Sequence, residues 1–274
     1  MRSRSSDGIT LSRNVQHPFF EGPRPLVFAH RGASAFAPEN TLVAFDRGLA
    51  AGADGLELDV HLSRDGVVVV HHDASLDRTT NAVGPVAGLT ADELARVDAG
   101  FRFEQDGSHP FRGQGIGIMT LASVLNRYRQ VRIIVELKVN SVALARATVA
   151  VIRAADAIDR VCLGSFGLRA LRAARTADPA VATSASREEV RWALYRSWLD
   201  RPVRRAAYQG FQVPEKTGVT RVVSARFVDM IHRTGQVVQV WTVNEESDAR
   251  RLLSWGVDGL ITDRPDIIVP ICSG

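Results

Sequence analysis

Glu57 and Asp59 stand two residues apart in the otherwise apolar stretch GLELDV, and a valine run after Arg64-Asp65-Gly66 leads to a pair of histidines, His71 and His72. In a strand, side chains at i and i+2 share a face, so the two carboxylates project together while Leu56, Leu58 and Val60 project oppositely. Two like charges on a buried face repel and lose hydration unless something positive lies between them. A hard divalent cation meets that need, because such ions prefer carboxylate oxygens. The competing reading is an edge strand with an acidic outer face, and the company these residues keep decides between the two.

That company recurs at the ends of other apolar runs. LVFA leads to His30 and Arg31, RIIVELK ends in Glu136 and Lys138, VCLGS in Ser165 and Phe166, and later runs reach Gln212, Trp241 with Asn244, and Thr262 with Asp263. Taken singly, each has a structural explanation: a capped core histidine, an internal ion pair, a packed tryptophan. Taken together, three carboxylates, two histidines, an arginine and a lysine favour a metal and anion site over a purely structural polar layer. Glu57, Asp59 and Glu136 make an all-oxygen ligand set, suited to Mg²⁺ or Ca²⁺ rather than Zn²⁺. Arg31 and Lys138 supply positive charge for an anion on the same metal, and phosphate fits. His30 and His72 can take and give protons near neutral pH on opposite sides of a phosphorus under in-line displacement. The reaction class this assembles is metal-assisted cleavage of a phosphate ester.

The elements that must position these residues follow from periodicity. Short apolar runs without alternation suit strands buried on both faces of a parallel sheet. Helical spacing follows at Asn40 to Ala51, with Asn40 as N-cap, and the chain then alternates strand and helix to GLIT at 259–262. Val67–Val70 reads as the return of a hairpin. Eight main strands alternating with helices predict an α/β fold, a closed (β/α)₈ TIM barrel, with a doubly wound open sheet as runner-up. The absence of G-x-G-x-x-G after the first strand counts against the dinucleotide-binding version of that runner-up. Residues 1–24 read as a flexible tail, 25–274 as one barrel domain, and about 74–120, rich in Gly, Pro, Asp and Thr, as a small insertion after the second strand.

Composition narrows the function classes. At 45% hydrophobic and 23% charged residues the chain has ample material for a core. No apolar run is long enough to cross a bilayer and the N-terminus lacks a secretory h-region, so a cytoplasmic protein is expected. Cys162 and Cys272 lack metal-ligand or CxxC spacing and read as reduced. A net charge of +4 with scattered arginines argues against a nucleic-acid partner.

The motifs HRGASAFAPENT, ELDVHLSRDGVVVVHHDASLDRTT, VELK, WTVN and DGLITDRPD, in that order from about Leu26 to Asp266, resemble the glycerophosphodiester phosphodiesterase family, related to phosphatidylinositol-specific phospholipases C. The resemblance implies a barrel with an insertion after strand two and metal-dependent hydrolysis of a small-molecule glycerophosphodiester to glycerol 3-phosphate and an alcohol. It also implies roles: His30 and His72 as the acid–base pair, Glu57, Asp59 and Glu136 as metal ligands, Arg31 and Lys138 at the phosphate, and Trp241 and Phe166 as substrate-side walls. His72 is selected over His71 because it directly precedes Asp73. His61 reads as solvated beyond the mouth, and His109 as surface. Two alternatives are phospholipase C- or D-type cleavage of intact lipid and a non-catalytic phosphodiester-binding barrel.

One segment falls outside the resemblance. Arg187–Ala207 carries Trp192, Tyr195, Trp198 and several arginines at helical spacing. A barrel helix packing its aromatics inward is the favoured reading, with contact to an anionic membrane surface or a cap on the mouth as alternatives. The oligomeric state is left open.

Overall fold

A computed structural model describes residues 17–204 and 206–273. The order is β1 (Leu26–His30), α1 (Leu42–Ala50), β2 (Gly55–Leu62), β3 (Val68–Val70), α2 (Ala91–Leu94), α3 (Leu121–Arg127), β4 (Arg132–Leu137), α4 (Val142–Ala154), β5 (Val161–Gly164) and α5 (Leu168–Ala177). Then come β6 (Ala182–Thr183), α6 (Arg187–Trp198), β7 (Gly210–Pro214), a hairpin of β8 (Lys216–Thr217) and β9 (Thr220–Arg221), α7 (Ala225–His232), β10 (Val237–Trp241), α8 (Glu246–Ser254), β11 (Gly259–Thr262) and α9 (Pro265–Ser273).

Eight strands pair in the order β6-β5-β4-β2-β1-β11-β10-β7, all parallel, and the single bridge Ser184↔Gly210 joins the two ends. The result is a nearly closed (β/α)₈ barrel. β3 pairs antiparallel to β2, the hairpin legible from the valine run. The β8–β9 hairpin lacks an alternating apolar pattern, its residues being exposed, and periodicity does not reveal it.

Two large apolar clusters lie between sheet and helices, and a third fills the barrel. The outward Leu56, Leu58 and Val60 join the first cluster with Phe45, Leu125 and Leu144. Inside the barrel, Phe28, Ile134, Cys162, Val237 and Ile261 form the floor. The expected tail over 1–24 lies outside the described residues as far as 16. From His17 onward the chain departs from that expectation: Phe19 and Phe20 are buried in the floor, and Phe19 stacks on Phe28 at 5.7 Å. Burial of two aromatic side chains offsets part of the conformational entropy lost in ordering the segment.

Three further readings are corrected. Helix α1 is capped by Thr41, whose hydroxyl accepts from Ala44 N, so Asn40 is free for another task. α6 ends at Trp198 rather than continuing to Ala207, and it buries Ala193, Leu194 and Ser197 while Trp192, Tyr195 and Trp198 face outward. The residues that face the core are thus two small ones and a leucine, not the aromatics. His61 is buried rather than solvated. The 74–120 segment packs Leu76, Val86, Leu94 and Ile118 against Val69 of β3.

Candidate active site

The register of the barrel brings the charged strand ends together. His30 of β1 lies beside Glu57 of β2, and Asp59, one pleat further along, lies beside Glu136 of β4. Glu57, Asp59 and Glu136 each offer a carboxylate oxygen within 4.8 Å of the others. Glu57 and Asp59 are buried and Glu136 is half-buried. Lys138, just past β4, places Nζ 3.3 Å from Asp59 Oδ1 and 3.4 Å from Glu136 Oε2. Arg31 Nε lies 3.3 Å from Asp59 Oδ2, while its backbone N–H donates to Glu57 Oε2 at 3.1 Å.

Electrostatics differ sharply among the three carboxylates. Burial and the adjacent charge of Asp59 push Glu57 up to about 8. Burial alone would raise Asp59 as well, but Lys138 and Arg31 outweigh it and hold that carboxyl below its ordinary value. Glu136 is raised, chiefly by burial, against the pull of Lys138. Asp59 Oδ1 and Glu136 Oε1 are buried and accept no hydrogen bond. Three carboxylates thus converge with two oxygens that accept no hydrogen bond and with Glu57 raised by burial and by Asp59, although Lys138 and Arg31 already flank Asp59. A divalent cation fits that donor set.

Each histidine is oriented by an aspartate. Asp263 Oδ1 accepts from His30 Nδ1 at 2.7 Å and from Ser34 Oγ at 2.6 Å, and Asp263 Oδ2 accepts from Asn244 Nδ2 at 2.8 Å. Burial works against the Asp263 anion, yet the donor from His30 holds it down to about 2. Asp73 Oδ1 accepts from His72 Nδ1 at 2.6 Å, and burial is again outweighed, by Arg78 and His72, so Asp73 sits at about 2. Ionised carboxylates only accept, so Nδ1 carries the proton on both rings and Nε2 is the atom left for chemistry. His30 Nε2 lies 3.8 Å from Glu57 Oε2. Burial disfavours the imidazolium of His30, but Glu57 and Asp263 raise its pKa; at His72 burial prevails and the pKa is lowered.

A ring of polar residues fixes this arrangement. Arg78, from the 74–120 segment, donates Nε to Asp73 Oδ2 at 2.5 Å and both terminal nitrogens to Glu39, which also accepts from Arg31 at 3.1 Å. Asn40 donates to Asp59 Oδ2 at 2.9 Å and accepts from the Asp59 N–H at 3.2 Å. His61 Nε2 donates to the His72 carbonyl at 3.0 Å, and His71 Nε2 to Ser75 O at 3.1 Å, away from the carboxylates. On the far side of the mouth Phe166 meets Trp241 edge to face at 6.0 Å.

All nine residues singled out in the sequence therefore sit at the C-terminal end of the barrel: His30, Arg31, Glu57, Asp59, Glu136 and Lys138 in direct contact, His72 at the edge, and Phe166 with Trp241 opposite. Arg78, Glu39 and Asn40 meet partners on segments remote in the chain, which spacing does not reveal, whereas Asp73 holds the adjacent His72. Asp263 and Asn244 show only as polar strand ends.

A family model described as the glycerophosphoryl diester phosphodiesterase family matches residues 30–267. Glycerophosphodiester phosphodiesterases of Bacillus altitudinis and Caldanaerobacter subterraneus are 35% and 31% identical over 254 and 258 residues, covering 89% and 90% of this chain and 97% of each relative. Among solved structures, an Oleispira antarctica phosphodiesterase in complex with the product sn-glycerol-3-phosphate aligns at a TM-score of 0.71 and 28% identity, over 90% of this chain and 96% of that one. A glycerophosphodiester phosphodiesterase of Agrobacterium tumefaciens aligns at 0.72 and 26%, over 90% and 100%.

Proposed function

The chain belongs to the glycerophosphoryl diester phosphodiesterase family, and from that premise we propose that it hydrolyses glycerophosphodiesters to glycerol 3-phosphate and an alcohol by histidine acid–base chemistry beside a divalent metal. The observation that carries this reading is the pair of aspartate-held histidines beside a buried three-carboxylate cluster. By family it is a glycerophosphodiester phosphodiesterase.

Glu57, Asp59 and Glu136 would hold Mg²⁺ or Ca²⁺, which when bound polarises the phosphoryl oxygens and balances the carboxylate charge. Arg31 and Lys138 face the same phosphate and offset its negative charge. One histidine of the pair His30 and His72 takes a proton at Nε2 from the attacking oxygen, a new P–O bond forms, and the ester P–O bond breaks. The other histidine gives its Nε2 proton to the departing alcohol oxygen, so protons balance across the step. Phe166 and Trp241 wall the glycerol or alcohol side and exclude water there. Residues 25–274 act as one catalytic unit, with the 74–120 insertion delivering Arg78 to the mouth. Two unpaired thiols, Cys162 and Cys272, suit a reducing compartment, and the cytoplasm is the proposed location.

The test is release of glycerol 3-phosphate from glycerophosphocholine and glycerophosphoethanolamine, with intact phospholipid alongside. Chelator is expected to abolish release and Mg²⁺ or Ca²⁺ to restore it. His30→Ala and His72→Ala are each expected to lower kcat by about 10²–10⁴-fold. Full activity in chelator removes the metal role, and faster cleavage of intact lipid replaces the substrate. A transient cyclic glycerol phosphate among the products identifies the glycerol hydroxyl, rather than water, as first nucleophile.

A further inference from the structure

Outside the mouth, the most unusual surface is the outer face of α6. Trp192, Tyr195 and Trp198 are 54%, 53% and 60% exposed, and Leu199 continues the same face. Their spacing of three and four residues places them on one side of the helix, opposite the buried Ala193, Leu194 and Ser197. They cover one another rather than the protein: Trp192 stacks on Tyr195 at 6.3 Å, and Tyr195 meets Trp198 at 6.3 Å. A contiguous exposed aromatic patch of this kind marks an interaction site more often than chance surface composition does.

The charges beside the patch choose the partner. Arg187, Arg191, Arg201 and Arg204 are exposed along the same segment, and Arg196 lies over the Trp192 ring at 5.6 Å. Of the acids there, Glu189 is taken by Arg175 and Asp200 by Arg233, which leaves Glu188 as the acid not paired in this way among the described residues. A face that is aromatic and cationic repels a second copy of itself in an isologous contact, where like charges would oppose one another. It matches an anionic bilayer, in which Trp and Tyr rings sit at the headgroup level and arginines meet lipid phosphates.

Accordingly, we propose that the outer face of α6 docks the protein on an anionic lipid surface. α6 starts at the mouth, where Arg187 lies over Phe166 at 4.9 Å, and runs down the barrel wall for about 16 Å to Trp198. With α6 flat on the bilayer the barrel rests on its side. The mouth then opens into water along the membrane plane instead of facing lipid. Such a pose favours soluble head-group diesters formed near the membrane over intact lipid, and it does not depend on which phosphodiester the site cleaves.

The test is co-sedimentation of the full chain with vesicles of equal parts phosphatidylglycerol and phosphatidylcholine, and with phosphatidylcholine alone. Binding is expected to the anionic vesicles only, to weaken with salt, and to fall about fivefold for each of Arg191→Gln and Arg201→Gln. Trp192→Ser/Tyr195→Ser/Trp198→Ser is expected to abolish binding while releasing product from soluble substrate at the unaltered rate, which shows that the variant folds. Brominated lipid should quench the tryptophan emission of the parent protein and not that of the triple variant. No binding, or equal binding by the triple variant, overturns the proposal. So does a dimer that the triple variant loses, or a preference for single-stranded oligonucleotide over vesicles.

Discussion

His30 and His72 sit in similar cradles, yet their surroundings differ, and the difference lies in what each aspartate touches. Asp263 gathers Ser34 and Asn244 besides His30, whereas Asp73 is shared with Arg78. Asp263→Asn would keep the shape of the cradle but present an amide, which can donate to Nδ1 and stabilise the wrong tautomer. The expected result is a fall in kcat of about 10- to 100-fold with little change in KM, the range typical of residues that orient a working side chain. Steady-state kinetics at saturating metal measures it, and an unchanged kcat removes Asp263 from the mechanism. Glu39 and Asn40 carry the same lesson. Asn40 resembles a helix cap in sequence, but Thr41 takes that task and Asn40 spends both amide groups on Asp59.

Among the elements, the turn from β1 into α1 is tightly constrained. Gly32 adopts a φ of +85°, and a Cβ there would meet the Ala44 backbone carbon at 2.4 Å. The loop folds back so closely because Ala33 N donates to the Ala44 carbonyl at 2.8 Å, which locks the loop onto the first turn of α1. Gly32→Ala is therefore expected to lose more than about 1 kcal/mol of stability and to displace His30 and Arg31 with it. Thermal denaturation and kcat should fall together, and a stable, fully active variant would contradict this account. α6 shows the converse, a helix whose sequence suits burial of aromatics but whose packing face is Ala193, Leu194 and Ser197. Its aromatics form the exposed ladder on the opposite side.

Over the whole molecule, the barrel divides labour between its ends, chemistry at the strand C-termini and closure at the opposite face. There Asp258 accepts from Val238 N at 2.8 Å and from His232 Nε2 at 2.7 Å, and it pairs with Arg24, so it ties α7, β10 and the lead-in to β1. The hydrogen bond to Asp258 raises the His232 pKa; burial opposes, but that bond holds Asp258 below its ordinary value. A raised histidine contributes stability that is complete below its unfolded value of about 6.5 and is lost as pH rises through the folded value. The lowered Asp258 contributes above about 3.8 and is lost as pH falls through its folded value. His232→Ala should thus cost more stability at pH 5.5 than at pH 9, as read by denaturant midpoints, and an equal cost at both would refute the linkage. The eight-strand alternation, the β2–β3 hairpin and the ligand-type residues at strand ends were legible in the chain, because strand period and residue chemistry are local properties. Register, loop return and helix rotation are not local. Only closure of the barrel sets His30 beside Glu57 and Asp59 beside Glu136, brings Asp263 to His30 and Arg78 to Glu39, draws Phe19 and Phe20 into the floor, and turns the α6 aromatics outward, since each of these is decided by packing against residues remote in sequence.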